Sequence, residues 1–143
     1  MDPDPLLLLQ SAFLGRSCRI SRQLPSWQAD LGGGFLVTLE TPWRIVADGR
    51  VKFADTDDGH WFGLPAPLDG EAQANELLRG RNVERIEVDE ETGDLRLIFN
   101  GATRLEALVH SAGYEGWIAL FEADGVRWSV IAMGGGEIAA TKI

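Results

Sequence analysis

The sequence predicts a mainly β fold (β-dominated α+β): two tandem antiparallel hairpin or meander half-repeats packed as one sandwich or barrel-like sheet, with one short connecting helix. Three observations carry that expectation. In residues 93–108, Leu95, Leu97 and Phe99 alternate on one face, Asn100-Gly101 supplies a two-residue turn with positive φ, and Thr103, Leu105 and Ala107 resume the alternation. A fainter version lies earlier, where residues 33–40 lead through Thr41-Pro42 into Trp43-Arg44-Ile45-Val46. Elsewhere strand-like segments are short and bounded by glycine-bearing turns, and only residues 71–78 read convincingly as helix.

Taken in order, residues 1–5 offer nothing to bury and are expected to be disordered. Residues 6–14 form a short helix or an extended apolar plug that Gly15 ends. Residues 16–24 and 27–31 are strands interrupted at Pro25-Ser26, and Gly32-Gly33-Gly34 is a turn. The first hairpin follows, then the turn Asp48-Gly49-Arg50, the strand Val51-Lys52-Phe53, and a polar loop at residues 55–59. Asp69 caps the helix, acids sit in its first turn and Gly80 stops it. Strands are then expected at 82–88, in the second hairpin, at 117–122 and at 126–132, with a last short strand after Gly134-Gly135-Gly136.

Placing Gly33 on Gly93 sets Phe35 on Leu95, Val37 on Leu97, Leu39 on Phe99 and Arg44 on Arg104, and upstream Arg19-Ile20 matches Arg85-Ile86. Residues 1–143 are therefore read as a single domain of two pseudo-repeats, about 14–64 and 78–143, joined by the helix at about 70–79. A half-sheet too small to bury its own apolar face pairs with its twin. Specificity is expected where the copies differ: around Trp27, in the acidic loop ending at Trp61, and in the tail from Tyr114.

The bulk composition excludes several classes. With 143 residues, 45% hydrophobic and 24% charged, the chain is ordinary for a globular domain. A net charge of -9 repels nucleic acid and anionic headgroups and attracts basic partners. Cys18, alone, forms no internal disulfide and is expected as a buried structural thiol. The apolar run 6–9 is too short, and its flank too acidic, for a signal peptide or a membrane span, so a cytoplasmic protein is expected.

No catalytic, metal or nucleotide motif stands out. Residues 55–60, Asp-Thr-Asp-Asp-Gly-His, look superficially like a calcium loop, but Ala66 stands where the bidentate glutamate is needed, and no metal or cofactor is expected. His60 beside Asp57 and Asp58 is the one acid–base arrangement available, the weakest of three readings. Of the tryptophans, Trp43, Trp117 and Trp128 lie in strands and are expected in the core, whereas Trp27 and Trp61 are candidates for either core or interface. Trp27, Asp55, Asp57, Asp58, His60 and Trp61 are the residues expected to bind a partner.

Tyr114-Glu115-Gly116-Trp117, the strand 126–130, Gly134-Gly135-Gly136-Glu137 and the Leu14-Gly15-Arg16 start, repeated loosely at residues 78–81, make the chain resemble a family of small uncharacterised bacterial proteins with two repeats. Such families look like bacterial immunity proteins, which the resemblance implies are small acidic domains that bind and neutralise a toxin. The leading expectation is thus a non-enzymatic protein-binding domain that meets a basic partner through carboxylates and an aromatic anchor. The alternative is a small-molecule-binding barrel or sandwich with a tryptophan-lined pocket. Leftover strand edges suggest a homodimer.

Overall fold

A computed structural model of the chain describes residues 4–143. Residues 1–3 of the segment expected to be disordered lie outside it. Asp4 and Pro5 do not behave as expected: Asp4 accepts a hydrogen bond from the Leu6 amide (3.0 Å) and Pro5 opens helix α1, Pro5–Ala12, where its missing N–H costs nothing. Five strands follow: β1 Arg19–Gln23, β2 Ser26–Asp30, β3 Leu36–Leu39, β4 Trp43–Ala47 and β5 Arg50–Ala54. A 3-10 turn at Asp55–Asp57 and a long loop lead to helix α2, Gly70–Leu78, capped by Asp69 as expected. The second half is β6 Val83–Val88, β7 Leu95–Phe99, β8 Thr103–Ala107, β9 Trp117–Ala123, β10 Val126–Gly134 and β11 Glu137–Lys142.

The strands make two antiparallel sheets, one ordered β1-β2-β3-β9-β10-β11 and the other β5-β4-β8-β7-β6. The mainly β expectation holds, and the layers form an open sandwich rather than a closed barrel. β7 and β8 pair as the alternation requires, Leu95 opposite Ala107 and Phe99 opposite Thr103. Their turn holds three residues, not two, because Ala102 joins Gly101 at positive φ (53° and 74°). The two-residue Asp-Gly turns fall at Asp48-Gly49 and Asp124-Gly125, where both residues have positive φ.

Residues 35–46 are not a hairpin. β3 lies in the six-stranded sheet beside β2 and β9, while β4 lies in the five-stranded sheet beside β5 and β8, so Thr41-Pro42 carries the chain from one layer to the other. The two halves nevertheless trace one path in a different register. The run β1-β2-β3-β9-β10 matches β6-β7-β8-β4-β5, as if a two-fold axis exchanged the sheets. α2 lies between the halves and also opens the second one, as α1 opens the first.

Side chains obey the same correspondence. Arg16 donates from Nε to the Ala12 carbonyl (3.4 Å) and from Nη1 to the carbonyls of Leu31 and Gly32 in the β2–β3 turn. Arg81 donates from Nε to the Leu77 carbonyl (3.2 Å) and from Nη1 to those of Asn100 and Gly101 in the β7–β8 turn. Ser17 and Asn82, the residues after these arginines, face each other in an isolated bridge. Trp43 and Trp117 start β4 and β9, each opposite the last residue of a neighbouring strand, Ala107 and Leu39.

The inward faces build one core in which Trp43, Trp117, Phe13, Phe53, Phe99 and Phe121 are fully buried. Trp43, Trp117 and Trp128 are core, as expected from their strands. The helices close the open sides of the sandwich: α1 packs on β6, β9 and β10, and α2 on β1 and β5. α2 also satisfies the β1 edge, since Asn75 accepts from the Ile20 amide (2.7 Å) and donates to the Ile20 carbonyl (2.8 Å), while Glu71 accepts from the Arg22 amide (3.1 Å). The β5 edge exposes Arg50 and Lys52, charges that discourage strand addition. Cys18 packs against the core, and burial, with Asp30 nearby, pushes its thiol up to about 12.

Candidate functional site

The long connection between β5 and α2 collects most of the expected site residues, but not in the expected role. Asp57 accepts from the Ala54 amide (2.9 Å), closing the 3-10 turn, and Asp55 accepts from the Trp43 amide (3.3 Å). Burial pushes the Asp55 carboxyl above its ordinary value despite its backbone donors. Asp58 takes a two-pronged bond from Arg22 (2.8 and 2.9 Å) and one from the Gly70 amide (2.8 Å). Arg22 also bonds Asp69 (2.6 Å) and lies 3.6 Å from Glu71. Its guanidinium holds the Asp58 and Asp69 carboxyls below the usual carboxylate range.

Trp27, on β2, is 6% exposed; its ring meets Trp43 edge-on at 5.3 Å and lies under Arg22 at 5.4 Å. Trp27, Asp55, Asp57 and Asp58 therefore hold the base of the loop, with their polar atoms or ring turned into the protein. The base is pinned again where Gly59 N–H donates to the Leu68 carbonyl (2.8 Å) and Leu68 N–H to that of His60 (2.7 Å).

The tip is different. His60 is exposed and stacks on Phe62 at 5.5 Å, while Trp61, Phe62 and Leu64 are 57%, 64% and 46% exposed. Phe62 sits at φ +43°, a left-handed conformation that a bulky side chain rarely adopts, followed by Gly63 at +75°. Beside the tip runs an open groove of about 590 Å³ lined by Leu64, Pro65, Pro67, Leu68, Ala72 and Glu76. The sequence reading took Trp61 from this surface and missed Phe62 and Leu64. Their signal was legible: residues 61–68 carry no charge in a chain that is 24% charged.

A second cleft, about 580 Å³, opens where the β3–β4 and β8–β9 connections meet, and is lined by Glu40, Thr41, His110, Ser111, Tyr114 and Glu115. Thr41 is buried, donates its hydroxyl to the Leu108 carbonyl and stands 3.4 Å from His110 Nδ1. With its proton given to a carbonyl, that hydroxyl is not paired to a base. Ser111 Oγ is an acceptor, taking the amides of Gly113 (3.2 Å) and Tyr114 (2.9 Å). This end of the molecule was read from sequence as a tail where the copies diverge and, at Tyr114-Glu115-Gly116-Trp117, as part of the family resemblance, not as a cleft.

Among the described residues, no three His, Cys, Asp or Glu side chains converge as metal ligands, and no helix is long and apolar enough to cross a membrane. Compared with protein-family models, curated proteins and solved structures, the chain matches none.

Proposed function

We propose that the chain is a non-enzymatic protein-binding domain whose anchor is the loop tip at Trp61, Phe62 and Leu64. The observation that carries this is the contrast within one loop: a base fixed by Arg22, Asp58 and two backbone hydrogen bonds, and a tip that holds two aromatic rings in water. Exposed aromatics on a fixed frame are what interface anchors look like, because little conformational entropy is lost when they dock. The net charge of -9 favours a basic partner and speeds its approach. That steering is assigned to the whole surface, since Asp55, Asp57 and Asp58 are occupied within the protein. In the form the family resemblance implies, the partner is a basic toxin in the cytoplasm, and binding neutralises it.

The test is site-specific photocrosslinking from position 61 and, as control, from Tyr114, which is 83% exposed at the other cleft. A protein captured from position 61 alone is then purified and titrated. Trp61→Ala should weaken its binding by at least about tenfold, a cost of about 1.4 kcal/mol. Equal affinity of the variant, or crosslinking only from Tyr114, would overturn the assignment.

The cleft at Thr41 and His110 favours a second reading, small-molecule binding, because its volume falls in the ligand-pocket range. No tryptophan lines it, so the expected tryptophan-walled pocket is not formed there. A metabolite panel that raised the melting temperature of wild type but not of Thr41→Val would support this reading over the first.

A further inference from the structure

Two glutamates on the outer face of the five-stranded sheet are each held between two arginines. Glu106 accepts from Arg44 Nε (2.8 Å) and lies 3.2 Å from Arg104 Nε, while Glu87 accepts from Arg96 Nε (3.1 Å) and Arg85 Nε (3.0 Å). Register explains the pairing. Arg44, Glu106, Arg96 and Glu87 form one cross-strand row, and Arg104 and Arg85 stand in the next row, two residues along from the same glutamates. Burial opposes ionisation of Glu106, but hydrogen bonds from its two arginines, and their charges, hold its carboxyl below the ordinary value.

All four arginines meet their glutamate through Nε, and among the described residues none hydrogen-bonds through Nη1 or Nη2. Arg16, Arg22, Arg79, Arg81 and Arg127 instead spend terminal nitrogens on the protein. A guanidinium anchored by Nε keeps its terminal N–H groups in one plane, the fork that takes both oxygens of a carboxylate. The side chains of Arg44 and Arg104 are 40% and 41% exposed, whereas that of the Glu106 they share is 10% exposed. The anion is sunk and the forks reach solvent.

The charge map limits what can dock there. Strands β4 to β8 carry Arg44, Arg50, Lys52, Arg85, Arg96 and Arg104 against Glu84, Glu87 and Glu106, so this layer is cationic in a chain of net charge -9. Acids border it: Asp48 in the β4–β5 turn, Glu84 at the β6 bulge, and residues 89–91 beyond β6. A nucleic-acid strand or an anionic membrane laid across the face meets that border; a short acidic segment does not.

We propose that Arg44 and Arg104 receive two carboxylates of a partner protein, carried at alternate positions of one extended segment. Spacing selects the carrier. The two arginines are diagonal neighbours on adjacent antiparallel strands, about 7–8 Å apart, and in an extended chain residues i and i+2 share one face about 7 Å apart. Charge agrees, since four arginines on two glutamates leave two positive charges for two carboxylates to balance. This face is separate from the loop tip, and the proposal does not rest on the function assigned to that loop.

The probe is a short peptide alternating glutamate and threonine, titrated into isotope-labelled protein to about 5 mM in about 20 mM salt, where screening is weak. The Nε resonances of Arg44 and Arg104 should move and those of Arg16 and Arg81 should not. The double variant Arg44→Lys, Arg104→Lys keeps the charges over Glu106 and loses the forks. Its dissociation constant should rise at least about fivefold, with circular dichroism verifying the fold, and Arg50→Ala on the β5 edge should leave the constant unchanged. Static resonances at Arg44 and Arg104, equal shifts at Arg16 and Arg81, undiminished affinity in the double variant, or tighter binding of inorganic phosphate or an oligothymidylate than of the peptide would each overturn the proposal.

Discussion

Replacing Arg22 with alanine should destabilise the protein by about 2 kcal/mol at neutral pH, and the penalty should fade in acid. The substitution removes two hydrogen bonds to Asp58 and one to Asp69, and leaves those carboxylates facing Glu71 without a cation. The side chains of Arg22 and Asp58 are 31% and 22% exposed. They stand between surface pairs, worth up to about 1 kcal/mol, and buried ones, whose breakage costs about 3–5 kcal/mol. Asp69, at 63%, adds little after screening. In a chain of 143 residues the loss corresponds to roughly 6 °C in melting temperature. Asp58 and Asp69 titrate below the usual range when folded, so Arg22 stabilises the protein fully above the unfolded carboxylate value of about 4. That stabilisation is lost as pH falls through the folded values, so the gap between wild type and variant narrows below about pH 4. Urea unfolding at pH 7 and pH 3 measures it, and amide exchange at Gly59 and Leu68 should quicken with the loop base released. A gap below about 0.5 kcal/mol at pH 7, or an equal gap at both pH values, would refute the role of Arg22 as the pin of the loop.

Trp117 donates its indole N–H to the Gly93 carbonyl (2.8 Å), whereas the equivalent Trp43 N–H is buried without a partner. Trp117→Phe should therefore cost about 1 kcal/mol more than Trp43→Phe in equilibrium unfolding, because both lose similar volume but only one loses a hydrogen bond. Cys18, partly buried against the core with its thiol pushed up to about 12, should react with a thiol-specific disulfide reagent at pH 8 at least about 100-fold more slowly in the native than in the unfolded protein; rates within about tenfold would contradict the raised thiol.

Local structure was legible in the residues because short-range physics decides it. Alternation at Leu95, Leu97 and Phe99, the Asp69 cap and the Asp-Gly turns each act within a few residues, and each appears where expected. The register of the repeat was not legible from alternation, since any two strands with apolar residues at every second position align. The residues that do fix it are Arg16 with Arg81, Asp48-Gly49 with Asp124-Gly125, and Trp43 with Trp117. Their spacing differs between the halves mainly because nine residues join β8 to β9 where three join β3 to β4, and six join β6 to β7 where two join β1 to β2. The partition of residues 35–46 between layers is a tertiary choice; Thr41-Pro42 reads equally well as a hairpin turn. At the candidate site, a run of aspartates suggested a displayed acidic surface, but the distant Arg22, on β1, takes up Asp58 and Asp69.

Because Thr41-Pro42 and the β8–β9 connection each carry the chain across the sandwich, both layers are composites of the N- and C-terminal halves. Cut anywhere in residues 61–67, the polypeptide would yield two fragments, each with its strands divided between two incomplete layers and its apolar faces bare. Such fragments are obligate complements: productive folding requires their mutual association, much as in a split reporter protein. In the intact chain the same interlacing makes many native contacts remote in sequence, which slows folding and couples the loss of either half to the loss of both.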